Sequence, residues 1–211
     1  GGAETEGAIT ASAGGSLEVI NVTIAHNNSH GILSAAATTT VRNTEIVCNN
    51  RSAVKITAGA ATVRYGDAFA NAAAAYDGIV PAASDNNLAV EPLYLDMVND
   101  DYRAQTDTVA VDSPTVDAGQ PTTDLTGPNQ PLYVDFSLEP APNGARVNQG
   151  AFGNTAWAGK SIGAPTVGTV NDGTGPDIDS QLSATTISAN WFGFTDSNGI
   201  TGYEWAIGVT P

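Results

Sequence analysis

Two stretches decide the fold: Leu17-Glu18-Val19-Ile20-Asn21-Val22-Thr23-Ile24-Ala25-His26-Asn27 and Thr39-Thr40-Val41-Arg42-Asn43-Thr44-Glu45-Ile46-Val47-Cys48-Asn49. Laid one above the other, they match Val19 with Val41, Asn21 with Asn43, Ile24 with Ile46 and Asn27 with Asn49, each at a spacing of 22 residues. A third copy keeps Val63 and Ala68 in register and puts Tyr65 where the asparagine stood. Shorter apolar starts recur at Gly7-Ala8-Ile9, Gly31-Ile32-Leu33 and Val54-Lys55-Ile56. Short strands separated by turns and returning at a fixed period describe a solenoid. One coil cannot bury its own inner face, so it stacks on the next, with like positions one strand spacing, about 4.8 Å, apart. Apolar residues then form internal columns. The amides of Asn21 and Asn43 are expected to form a structural ladder at a turn.

The third coil runs into Arg64-Tyr65-Gly66-Asp67-Ala68-Phe69-Ala70-Asn71 and an alanine-rich stretch ending at Tyr76-Asp77-Gly78. Asn71, Asp77, Gly78 and Pro81 leave little room for a helix, and the stretch reads as a protruding loop.

From Leu88 the text changes to Glu91-Pro92-Leu93-Tyr94-Leu95-Asp96, Asp100-Asp101-Tyr102-Arg103-Ala104-Gln105 and Asp112-Ser113-Pro114-Thr115-Val116-Asp117-Ala118-Gly119. Asp124-Leu125-Thr126-Gly127-Pro128 and Val147-Asn148-Gln149-Gly150-Ala151-Phe152-Gly153 follow. This order of motifs resembles the tail of bacterial right-handed parallel β-helix repeat proteins of the pectin-lyase-like superfamily, over about residues 7 to 155. Glu91-Pro92 replaces the usual Asp-Pro, Ala104 a leucine, and the last motif lacks an acidic end. The resemblance implies a C-terminal cap that closes the solenoid. A solenoid end exposes strand edges and an open core, and prolines such as Pro92, Pro114, Pro121, Pro128 and Pro131 suit irregular turns that block edge pairing.

Small and polar residues from 159 to 169 mark a linker. Beyond it, Thr186–Trp191 and Ile200–Gly208 alternate in strand fashion around Asp196-Ser197-Asn198-Gly199. This looks like the opening of a fibronectin type III-like or immunoglobulin-like sandwich, which needs about twice the length present. The expected fold is therefore all-β: a right-handed parallel β-helix over 1–87, its C-terminal cap over 88–158, a linker over 159–169, and an incomplete Ig/fibronectin III-like β-sandwich over 170–211. The ends, Gly1-Gly2-Ala3-Glu4 and Val209-Thr210-Pro211, read as those of an interior fragment.

The 7 Lys and Arg against 22 Asp and Glu give a net charge of −15, which disfavours nucleic acid or an anionic membrane as partner. A neutral glycan, a divalent cation or another protein fits better. The single cysteine, Cys48, forms no intrachain disulfide and reads as a buried, inert thiol. No apolar run is long enough for a membrane span, and no signal peptide opens the chain.

Catalysis is tested against the residues. A polysaccharide lyase needs an Arg or Lys base, and a glycoside hydrolase needs two carboxylates about 5 to 9.5 Å apart. Glu18 and Glu45 share no column. Arg42 and Arg64 stack, 22 apart, and read as a solvated outward pair. His26 and His30 sit four apart near a turn with no third ligand. No catalytic residue is assigned. Calcium is the one cofactor considered, at Asp96, Asn99, Asp100 and Asp101 or at Asn171, Asp172, Asp177 and Asp179, with turn formation as the competing role. Of three sequons, Asn27 and Asn50 lie at turns and are the better glycosylation candidates.

The expected function is that of a non-catalytic, secreted or cell-surface β-helix with a structural, adhesive or filament-forming role. It would assemble with copies of itself or other surface proteins. The alternatives are a lyase or hydrolase whose active site lies upstream, and a carbohydrate-binding module gripping polysaccharide.

Overall fold

The computed structural model describes residues 5–106, 112–124, 133–161, 168–176 and 185–195. The chain divides into two units, Gly1–Ser161 and Ile162–Pro211.

The first unit is a β-solenoid of about three turns. Its first coil supplies β1 (Gly7–Ala11), β2 (Ser16–Ile20) and β3 (Thr23–Ala25). The second supplies β4 (His30–Ser34), β5 (Thr38–Arg42) and β6 (Glu45–Val47), and the third β7 (Val54–Ile56), β8 (Ala60–Arg64) and β9 (Asp67–Phe69). β10 (Tyr76–Asp77) opens a further turn. The strands stack into three parallel sheets, ordered β1-β4-β7-β10, β2-β5-β8 and β3-β6-β9. The register is the one that the repeat demands: Val19 pairs with Val41 and Val41 with Val63, while Ile24 pairs with Ile46 and Ile46 with Ala68. The first sheet slips by one residue at its first step, Ile9 opposite Ile32, and then settles to 22 with Ile32 opposite Val54.

These pairings make columns. Val19, Val41 and Val63, with Ile24, Ile46 and Ala68, and Ile32 with Val54, form one buried apolar cluster, against which Ile9, Leu17 and Tyr76 pack. Removing such side chains from water is the driving force that a single coil lacks, and each of the larger ones contributes about 1.5–3 kcal/mol.

The corners on either side of the β3-β6-β9 sheet are tight because the backbone turns left-handed there. Asn21, Asn43 and Tyr65 hold φ near +50°, and so do His26, Cys48 and Ala70. Asparagine tolerates this region better than other side chains, which accounts for two of the three asparagine-column positions.

The Ala-rich stretch does not protrude as a loop. Tyr76 pairs with Val54 and Asp77 with Lys55, extending the first sheet at the same spacing of 22, and a Lys55–Asp77 ion pair of 2.9 Å lies beside it. Residues 82–90 then lie along the free edges of the third coil. Tyr65 N donates to Asp85 O, Leu88 N to Gly66 O and Ala68 N to Leu88 O. The Asn87 amide bridges Gly66 N and Val63 O.

An antiparallel pair, β11 (Tyr94–Asp96) and β12 (Asp101–Ala104), follows. The described residues from 112 to 161 are turns, hydrogen-bonded to the flank of the coils. Among its described residues the second unit holds one antiparallel pair, β13 (Thr169–Asp172) with β14 (Ala189–Phe192). Its Asn190 amide donates to Gly173 O and Gly175 O. The second expected strand, 200–208, lies outside the described residues. Among the described residues no helix is long and apolar enough to cross a membrane.

Candidate functional site

The polar side chains of the β-solenoid converge on one seam, where the described residues between 91 and 161 lie against the corner between the β2-β5-β8 and β3-β6-β9 sheets. Its basic half is built on Arg42 and Arg64, neighbours in the β5–β8 register. Arg42 is not solvated but 3% exposed. Its Nη1 donates to Gln120 Oε1 at 2.5 Å, and its guanidinium lies 4.9 Å over the Tyr133 ring. Burial, and then the like charge of Arg64, push its pKa below the ordinary arginine value. Arg64 is half-buried and ion-paired to Asp85 at 3.2 Å and Asp124 at 3.0 Å, and Tyr65 OH donates to the same Asp124 carboxylate at 2.6 Å.

Asn43 lies at the centre. Its Nδ2 donates to Tyr133 O at 2.7 Å and its Oδ1 accepts from Gln120 N at 2.8 Å. Its carbonyl receives Gly150 N at 2.7 Å. The side-chain hydrogen bonds of Asn43 therefore run to the flank, not to Asn21, whose amide oxygen is buried without a partner. The amide ladder stands elsewhere, at Asn27, Asn49 and Asn71. Asn27 Nδ2 donates to Asn49 Oδ1, and Asn49 Nδ2 to Asn71 Oδ1, both at 2.9 Å. The backbone N–H groups of Asn27 and Asn49 point at the same oxygens. A clue was present in the sequence: asparagine recurs in all three coils at 27, 49 and 71, but only twice at 21 and 43.

The acidic half is a column on the third sheet, Thr23 opposite Glu45 and Glu45 opposite Asp67. Thr23 Oγ1 and Tyr94 OH both donate to Glu45 Oε2, at 3.0 and 3.1 Å. Asp67 Oδ1 accepts from Val90 N at 3.0 Å, while its Oδ2 is buried with no partner. Burial raises the Glu45 carboxyl to about 7 against the hydrogen bonds of Thr115, Thr23 and Tyr94. Burial likewise raises Asp67 to about 6. Glu139, farther along the flank, accepts from Asn148 N and Asn154 N and is raised to about 7, again mainly by burial. The spacing of 22 that relates Glu45 to Asp67 was visible in sequence. Their burial was not.

The other candidate residues have their own local partners. Asp96 accepts from the Asn99 backbone and side chain across a short 3₁₀ turn. Tyr102 OH bonds Asp100. Asp101 is gripped by Arg103 Nε and Nη2 at 2.8 and 2.6 Å, and that hydrogen-bonded guanidinium pulls its carboxyl below the usual range. Asp172 ends β13; Asp177 and Asp179 lie outside the described residues. Among the described residues, no group of three or more His, Cys, Asp or Glu side chains is placed to hold a metal ion.

His26 is exposed, its ring 6.5 Å from that of Tyr102. His30 is buried in β4, its Nδ1 accepting from Ser52 N, so the two do not share a site. Cys48 is half-buried rather than buried, beside Phe69, Leu93 and Met97, and burial pushes its thiol up. Asn27 commits its amide nitrogen to the ladder, whereas Asn50 is exposed and donates to Asn28 Oδ1. Comparison with protein-family models, with curated proteins and with solved structures finds no match to this chain.

Replacing Arg42 by methionine keeps most of the volume but removes the hydrogen bond to Gln120 Oε1 and the cation from the Tyr133 face. A loss of about 2 kcal/mol is expected from one charged hydrogen bond. Thermal denaturation, with limited proteolysis between residues 112 and 150 as the local readout, checks it.

Proposed function

We propose that this chain is a non-catalytic structural part of a secreted or cell-surface protein, a β-helix scaffold that assembles with copies of itself or with other surface proteins. One observation carries the reading: the charged side chains best placed for chemistry on the coils, Arg42, Glu45 and Asp67, are each 3% exposed or less and lie under the flanking segment. A buried guanidinium bonded to Gln120 serves packing, and offers a glycan no base. In this reading residues 82–161 act as the closing and flanking segment that the motif order of pectin-lyase-like β-helices implies, the winding is right-handed, and the second unit begins a fibronectin III-like sandwich.

The first coil has strand edges that a preceding coil of the same polypeptide or a strand of another copy would cover. Among the described residues, β1, β2 and β3 each pair on one side only, and a hollow of about 390 Å³ lined by Ile9, Val22, Ile24 and Tyr102 opens beside them. Unpaired strand edges are templates for added strands.

The test has two arms. Incubation with pectin, alginate and neutral glucans should release neither 4,5-unsaturated ends nor new reducing ends; release of either would replace the scaffold reading with the enzyme reading. Sedimentation over a range of concentrations should show association that Ile9→Lys weakens. A monomer at every concentration would remove the self-assembly part.

A further inference from the structure

Glu45 and Asp67 stand side by side in register on β6 and β9, 2% and 1% exposed. In-register neighbours in a parallel sheet lie about 4.8 Å apart with their side chains on the same face. Two carboxylates so placed and shut away from water are costly to keep charged, since burial disfavours each ion and each disfavours the other.

The groups that face the pair come from several sides of the seam, and among the described residues none of them is a cation. β3 contributes the Thr23 hydroxyl, and β11 contributes the Tyr94 hydroxyl, both donating to Glu45. Thr115 hydrogen-bonds Glu45 from the flank. Val90 N reaches Asp67. The titratable neighbours among the described residues are Tyr94, which feels both carboxylates, and Tyr76 on β10, whose hydroxyl feels the Asp67 charge. Gly150, with φ at +84°, brings the flank backbone so close that a Cβ there would fall on the Glu45 carboxylate. One acceptor is left over: Asp67 Oδ2 is buried with no hydrogen-bond partner. A carboxylate only accepts, whereas a carboxylic acid also donates.

We propose that Glu45 and Asp67 form a proton-operated latch: a proton held by the stacked pair fastens residues 91–161 to the coils, and its loss loosens that seam. The proton comes from and returns to solvent, and no other bond is made or broken. Both groups hold protons more tightly when folded than when unfolded. The stability they confer is therefore full below about pH 4, the range of the unfolded carboxyls, and is lost as pH rises through about 6 to 7.

The experiment follows thermal denaturation and limited proteolysis of the whole chain from pH 4 to pH 8. The wild type should melt lower at pH 8 than at pH 5, with cleavage between residues 112 and 150 becoming several-fold faster. Glu45→Gln and Asp67→Asn imitate the protonated forms, so each should flatten both profiles, and the double variant should leave the smaller slope of the remaining buried acids, Glu139 and Asp117. An infrared band of buried carboxylic acid, present in wild type at pH 5 and reduced in Glu45→Gln, reads the proton directly and does not depend on the double variant folding. Profiles in the double variant as steep as the wild type would overturn the latch. So would a rise in wild-type melting temperature at pH 8 on adding calcium chloride that Glu45→Gln abolishes, because a cation would then be neutralising the pair.

Discussion

Asn49→Ala is expected to lower stability by about 4 kcal/mol, because it breaks the amide ladder in its middle. Asn49 is 1% exposed. Its Oδ1 receives the backbone and side-chain N–H groups of Asn27, and its Nδ2 serves Ile24 O, Val47 O and Asn71 Oδ1. An alanine supplies none of these, and each buried group left unsatisfied costs about 1–3 kcal/mol, reduced where water can enter. For a domain stable by about 5–15 kcal/mol, this is a large share of the total. Asn50→Ala is the control. Asn50 is exposed and, among the described residues, its side-chain amide donates to Asn28 Oδ1 alone, so its loss should stay within about 0.5 kcal/mol. Urea denaturation of both variants measures the difference; equal losses would show that the ladder carries no special weight.

Ile32→Ala should destabilise by a similar amount, about 2–5 kcal/mol, for a different reason. Ile32 is 0% exposed and stands between Ile9 and Val54 in the first sheet. Its neighbours on both sides are fixed by backbone pairing one strand spacing away, so they cannot collapse into the space left, and the cavity adds to the lost transfer energy. Ile32→Val removes one methylene and should cost about 0.5–1.5 kcal/mol. The ratio between the two variants, read from denaturation midpoints at constant slope, reports how rigid the column is.

The coils were legible because stacking turns register into repetition. Val19, Val41 and Val63 occupy one environment three times, so one side chain type recurs, and the eye finds the period. The same logic misdirected the asparagine assignment. Asn21 and Asn43 recur because the backbone is left-handed there, and Asn27 and Asn49 recur because their amides bond one another; sequence shows recurrence and not its cause. The alanine-rich stretch hid a coil since alanine carries no inward-outward contrast, and only Tyr76 marks the strand. The seam was illegible for a deeper reason. Arg42 meets Gln120 across 78 positions and Thr23 meets Ala151 across 128, and such pairs have no period to betray them. Hence Arg42 read as a solvated residue, and Glu45 as one acid too far from Glu18 to matter.

That difference in sequence separation bears on the order in which the molecule can form. Coil-to-coil contacts close short segments of chain and cost little entropy, while the seam must gather ends much farther apart. The coils can therefore organise as each stretch of chain becomes available. The flank has nothing to fasten to until Arg42, Asn43 and Glu45 already stand in line, so its docking is expected to follow the stacking of the coils.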